Sequence, residues 1–260
     1  TNNIYVIHQA KAVGTIDLPE GALVDLNGGS DKLVLDADGD TTISADTDDQ
    51  IDFKTGGTDR ATIDASGRFV IGSTTNVNAG NTTPRFQLQG TDYATTSLSL
   101  LGQRATSASG ATLAFARSRN ATFGSNTIVQ ENDELGKIRF FGDDGNDLTN
   151  YGAEIGCYVD AAPGSDDMPG RLTFGTTADG ATSSTERMRL VSGGNLMHGK
   201  TSSGSSVQGI ELEFGGALTV ARTDNLPFLI NRLGNDGDLI SFRHAGTSEG
   251  SVAVSGNTVS

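Results

Sequence analysis

Short alternating runs dominate this chain. An aliphatic residue, one spacer and a phenylalanine recur six times: Ile51-Asp52-Phe53, Leu113-Ala114-Phe115, Ile138-Arg139-Phe140, Leu172-Thr173-Phe174, Leu212-Glu213-Phe214 and Ile240-Ser241-Phe242. Residues two apart in a strand face the same way, so each phrase places an aliphatic and an aromatic side chain on one face, expected to be buried. Six of the eleven Phe are used in this way. Glycine-bearing turn chemistry, such as Ala178-Asp179-Gly180, follows most of them. No ten-residue stretch carries a helical period. The pattern predicts an all-β chain, structural and repetitive rather than enzymatic.

Up to residue 83 the predicted strands are short: 32–35, 42–45, 50–53, 61–64 and 68–71, separated by Asp, Gly and Thr turns. Residues 84–200 carry longer alternating runs at 97–100, 112–117, 137–141, 152–159 and 171–175. Short strands return at 209–214, 217–221, 228–232, 239–243 and 251–255. A hairpin-like phrase also repeats. The run from Arg60 through Ile63, Gly67 and Phe69 to Gly72 aligns without gaps on the run from Arg187 through Leu190, Gly194 and Leu196 to Gly199. An acidic residue, Asp59 or Glu186, precedes each. Each copy reads as strand, glycine turn, strand, closing a module. Small polar stretches at 74–83 and 201–206 then mark the boundaries. The resulting division is a β-rich stem (1–83), a knob resembling a β-sandwich or β-prism (84–200) and a distal β-segment (201–260).

Composition changes the picture from a compact domain to an assembly. Only 35% of the chain is hydrophobic, Trp is absent and there are 35 Gly, a thin core for this length. Periodic strands argue against disorder. The remaining solution is a core shared between copies, an elongated oligomer in which three short-stranded chains wrap together. The net charge of −14 is concentrated in residues 1–83, where 13 acidic and 5 basic side chains leave −8. Such a surface repels phosphates and anionic lipid, which argues against binding nucleic acid or inserting into membranes. The single cysteine, Cys157, excludes an internal disulfide framework and reads as a small buried residue in an alternating run. The chain opens on Thr1 without a signal-peptide pattern, so a piece of a longer or processed polypeptide is expected.

Several phrases are similar to those of a known family. Asp36-Ala37-Asp38-Gly39-Asp40-Thr41-Thr42-Ile43 followed by Gln50-Ile51-Asp52-Phe53-Lys54-Thr55-Gly56-Gly57 resembles the stem repeats of bacteriophage tail fibres, those of marine phages especially. Leu135-Gly136-Lys137-Ile138-Arg139-Phe140, Met168-Pro169-Gly170-Arg171-Leu172 and Thr185-Glu186-Arg187-Met188-Arg189 resemble a module of the same fibres. The end, from Gly250 to Thr258, is similar to the stretch preceding a self-cleaving intramolecular chaperone. The resemblance implies an elongated homotrimeric, largely β-structured virion protein that is assembled in the host cytoplasm. Its implied partners are other tail proteins and a glycan or protein receptor on the host surface. It also implies a C-terminal chaperone with a Ser–Lys dyad; no residue here matches that dyad, and cleavage near Ser260 is not assigned.

Candidate chemistry adds little. Asp36, Asp38 and Asp40 begin like a calcium loop, but Thr41 and Thr47 stand where Gly and Glu are needed, so solvated turns are expected there and in Asp143-Asp144-Gly145-Asn146-Asp147. His8, His198 and His244 are isolated. Only if His198 faced a threefold axis would three copies offer a metal site. Asn81-Thr82-Thr83 and Asn120-Ala121-Thr122 fit a glycosylation pattern and read as turns. No catalytic residue, cofactor or metal ligand is assigned. The loop at 161–170, bracketed by Pro163 and Pro169, is the expected place for receptor contact. Competing readings are a glycan-cleaving fibre enzyme, a bacterial trimeric adhesin and an extracellular filament subunit. The first would want paired carboxylates beside aromatic platforms, which are scarce here.

Overall fold

The computed structural model describes residues 32–45, 47–103, 105–106 and 108–256, and the backbone of 258–259. The described residues contain strands, turns and bends and no helix, so the all-β expectation holds. The described residues fall into two compact units, one up to Asn78 with Thr82–Ser99, the other Ala79–Asn81 with those from Leu100 onward.

The first unit holds a six-stranded sheet of β1 (Lys32–Val34), β2 (Thr42–Ser44), β3 (Ile51–Thr55), β4 (Thr58–Ile63), β5 (Phe69–Ile71) and β6 (Phe86–Leu88), in sequence order. Every pair is antiparallel except β5–β6. The register aligns Leu33, Ile43, Phe53, Ala61, Ile71 and Leu88 in one row across the sheet. Ile51, Ile63, Phe69 and Phe86 form a second row on the same side. The other side carries Ser44, Asp52, Thr62, Val70 and Gln87.

The second unit holds a seven-stranded antiparallel meander: β7 (Glu134–Phe141), β8 (Tyr151–Val159), β9 (Gly170–Thr176), β10 (Thr185–Leu190), β11 (Leu196–His198), β12 (Gly209–Leu212) and β13 (Leu218–Ala221). This sheet runs through residue 200 without interruption, and 199–208 is a loop between two of its strands. A third sheet contains β14 (Gly237–His244), β15 (Thr247–Ser255) and β16 (Thr258–Val259). Ala245 and Gly246, both at positive φ (49° and 85°), make the two-residue turn between β14 and β15, the geometry that matches strand twist. Among the described residues no strand of this third sheet contacts the seven-stranded one. The described residues of the second unit therefore do not form the two packed layers of a sandwich within one copy.

The repeated phrase folds twice into the same hairpin. In β4–β5, Ala61, Thr62 and Ile63 pair with Ile71, Val70 and Phe69. In β10–β11, Met188, Arg189 and Leu190 pair with His198, Met197 and Leu196. Gly67 N donates to Asp64 O at 2.8 Å and Gly194 N to Val191 O at 2.9 Å. A third copy, not anticipated, is β12–β13, where Leu212 pairs with Leu218 and Gly216 N donates to Glu213 O at 2.8 Å. These three glycines sit at φ 69°, 86° and 91°, a region open to glycine at little cost.

Three predicted strands, 97–100, 112–117 and 228–232, join no sheet. Their alternation is real, but among the described residues no strand pairs with their backbone. Conversely β6, only three residues long, was not foreseen.

Candidate functional site

Burial in both large sheets is the reverse of what the alternation led us to expect. On the polar side of the first sheet, Thr42, Ser44, Asp52, Thr62 and Val70 are at most 3% exposed. Thr62 Oγ1 donates to Asp52 Oδ1 at 2.7 Å, and Gln50 Nε2 reaches the same carboxylate at 2.9 Å. Residues 73–77 fold back over this side: Asn76 Nδ2 donates to Asp64 Oδ2 at 2.6 Å and Val77 N to Gln87 Oε1 at 3.0 Å. The opposite, apolar side stays open, with Leu33, Ile51 and Phe86 all exposed.

The seven-stranded sheet repeats this arrangement. Two apolar rows cross all its strands. One runs Ile138, Ile155, Phe174, Met188, His198, Ile210, Val220. The other runs Gly136, Cys157, Leu172, Leu190, Leu196, Leu212, Leu218. His198 is the single ionisable side chain other than the Cys157 thiol in these rows. Leu190, Leu212 and Leu218 are 42%, 48% and 54% exposed, and Cys157 is half-buried rather than buried. At a strand spacing of about 4.8 Å, seven strands span roughly 30 Å, and two to three side-chain rows make a patch on the order of 500 Å². Near one edge Phe115 lies over Gly136, where a Cβ would come within 2.6 Å of its own. Beside it opens a recess of about 320 Å³ lined by Leu135, Ile138, Ile155, Cys157 and Leu172.

Charges gather on the other side of that sheet. Glu211 is 2% exposed and accepts from Lys200 Nζ at 2.8 Å, Asn195 Nδ2 at 2.8 Å and Gly204 N at 3.2 Å. Lys200 above all, then Ser203, holds its carboxyl down at about 2 against the opposing effect of burial. Lys200 Nζ also donates to Gly204 O at 2.8 Å, so the 199–208 loop is closed over the polar side. Tyr158 has Lys137 Nζ 5.4 Å and the Arg171 guanidinium 5.1 Å from its ring centre. Burial lowers Lys137, but hydrogen bonds to Glu134 and Tyr158 outweigh it and raise its pKa overall. Burial likewise opposes ionisation of Asp160, but the Ser192 N–H and hydroxyl and Arg171 overcome it and lower its pKa.

A separate anchor precedes the sheet. Asp133 Oδ2 accepts from Arg119 Nε at 2.6 Å and Gln130 N at 2.9 Å, while Oδ1 accepts from Arg119 Nη2 at 2.7 Å and Arg117 Nη2 at 3.1 Å. Arg119 first, then the Gln130 N–H, push its carboxyl far below the usual range. Sequence reasoning missed this cluster because its members lie up to 16 residues apart with no shared motif.

The structure brings the carboxylates of Asp36, Asp38 and Asp40 within 4.8 Å of one another. Asp36 Oδ1 accepts from Gly39 N and Thr41 N at 3.1 and 3.2 Å, closing an Asx-type turn. The Thr41 hydroxyl first and its N–H help hold Asp36 at about 2, whereas burial and then the Asp38 charge raise Asp40. Asp143 and Asp144 likewise cap their own turn, accepting from Gly145 N at 2.8 Å and Asn146 N at 3.0 Å. His198 lies on the open apolar side and His244 ends β14; His8 falls outside the described residues. Asn81 is exposed at φ 62°, and Asn120 donates to Thr127 Oγ1 at 3.1 Å within a hydrogen-bonded loop. Residues 161–169 form a mostly exposed loop between β8 and β9, with Gly170 already the first residue of β9, and the loop is closed by Asp160 N donating to Pro169 O at 2.8 Å.

No family model matches the chain, and a search of curated proteins finds no match.

Proposed function

We propose that this chain is a structural and adhesive segment of a homotrimeric bacteriophage tail fibre that helps attach the virion to its host. The observation carrying the proposal is the open, charge-poor apolar side of both large sheets. A patch on the order of 500 Å² is at the upper end of what soluble monomers expose as their largest apolar patch, and patches of that size commonly mark interaction sites. It approaches the roughly 800 Å² that each partner contributes to a standard interface, before the first unit's apolar side is added. The occupant is a second copy of the same chain. Copies carry −14 each and repel everywhere except at faces free of charge. The same polar-side-covered, apolar-side-open device recurs in two sheets, as a repeated interface along one fibre requires. Three copies closing around an axis would supply the missing layers of a sandwich- or prism-like knob, and the phrases similar to phage fibres select a virion protein over other trimeric β-assemblies.

Light scattering on the purified chain tests the assembly: a mass of three chains is expected, and a monomer overturns it. Competition with phage adsorption tests the adhesive role. The trimer should block adsorption to a susceptible host, and exchange of the 161–170 loop for a Gly/Ser linker should abolish the block.

A further inference from the structure

We infer that residues 112–117 are a β-strand whose hydrogen-bonding partner belongs to a second copy of this chain. The inference rests on the trimeric reading and specifies which backbone joins the copies. Thr112-Leu113-Ala114-Phe115-Ala116-Arg117 alternates as a strand does, with Leu113 and Phe115 on one side. Among the described residues, none of its backbone groups bonds to another backbone group. Leu113 is 61% and Phe115 53% exposed.

The segment is not loosely attached. Phe115 is seated on Gly136. Arg117 donates from Nη1 to Glu134 O at 2.8 Å and from Nη2 to Asp133. It is thus an extended chain held at its C-terminal end, with its backbone donors and acceptors left open. Such a row is complementary to another strand edge. In its own copy the nearest edge, β7, has its Glu134 carbonyl taken by the Arg117 side chain. Phe115 meanwhile lies over the apolar side of the sheet rather than alongside the strand. Equivalent edges exist on every other copy, since β7 and β13 are the outermost strands of the sheet. Residues 112–116 carry no charge, so close approach of a second acidic chain meets no like-charge penalty there. The two other orphan runs, 97–100 and 228–232, have the same character: each was legible as a strand and, among the described residues, finds no backbone partner in one copy.

Hydrogen–deuterium exchange on the full chain, with its mass measured in parallel, reads this directly. In a trimer the amides of 113–117 are expected to exchange at least about a hundredfold more slowly than in an unprotected peptide. Ala114→Pro costs the single copy no hydrogen bond, yet it should release that protection and shift the trimer toward dissociation. Isotopically heavy and light chains folded together, with Ala116→p-benzoylphenylalanine in one of them, should cross-link heavy to light. A trimer whose 113–117 amides exchange at the peptide rate, or whose cross-links stay within one copy, overturns the strand inference and leaves the trimer standing. A monomer overturns both.

Discussion

Val70 and Met197, 127 residues apart, occupy the same position in two copies of one hairpin, and both are buried on the side that carries the polar residues. Each stands across its hairpin from a polar residue, Thr62 or Arg189. In each, the loop that follows folds back over the hairpin's polar side. This apolar plug is internal to a single copy. Met197→Ala should therefore destabilise the chain by about 2–5 kcal/mol, lowering its melting temperature to the same extent at every protein concentration. A loss that vanishes on dilution would mean the plug belongs to the interface instead.

The turn glycines permit a graded test. Alanine at φ near 70–90° carries a backbone cost of about 1–2 kcal/mol. Gly216→Ala adds no contact within 4 Å, and at Gly67 the nearest atom is Arg85 Nη1 at an ordinary 3.7 Å. At Gly194 the new Cβ would meet the Phe214 ring at 2.9 Å. Chemical denaturation should rank Gly194→Ala as the most harmful of the three, with the other two near the backbone cost alone.

Strand positions were legible at phrases such as Ile138-Arg139-Phe140 and Leu172-Thr173-Phe174, because alternation and turn chemistry are local; at Leu212-Glu213-Phe214 the same spelling runs into the turn, β12 ending at Leu212 with Phe214 beyond it. The third hairpin was legible too: Leu190-Val191-Ser192-Gly193-Gly194-Asn195-Leu196 and Leu212-Glu213-Phe214-Gly215-Gly216-Ala217-Leu218 share one spacing, which went unrecognised. Strand β6 was hidden by its length and its parallel pairing with β5, which is set by a crossover and not by local pattern. The side on which burial falls was not legible at all. It depends on Lys200, Asn195 and Gly204 converging on Glu211 across the sheet, and on Asn76 reaching Asp64, contacts between residues whose spacing follows no motif.

Glu211 also predicts a pH dependence. Its carboxyl titrates at about 2 in the folded chain against an ordinary 4.5, so the unfolded chain binds the extra proton first as the solution is acidified. The stabilisation is therefore complete above about pH 5 and is lost as the pH falls toward 2. Glu211→Gln should flatten that part of the stability–pH curve. It should also lower stability near neutrality, because Lys200 then stays buried without a counter-charge. Urea unfolding at a series of pH values, with and without the substitution, measures both effects.

The open apolar side should respond to substitution in a way the plug does not. Leu190 and Leu212 are 42% and 48% exposed in one copy. Aspartate at either should cost an isolated copy only about 1–2 kcal/mol, from the half-buried leucine surface lost and the lower strand propensity of Asp. In an assembly that closes on this face, each copy would instead bring an uncompensated carboxylate into an apolar interface, beside the same group from its neighbours. Leu190→Asp and Leu212→Asp should each convert the trimer to monomer by light scattering while leaving the circular dichroism spectrum of a β-protein. Glu213→Lys, an exposed charge change just beyond β12, should leave the mass at three chains. If the two leucine variants remain trimeric, copies do not meet at the seven-stranded sheet, and the interface must be sought on the first unit's row of Leu33, Ile43 and Phe53.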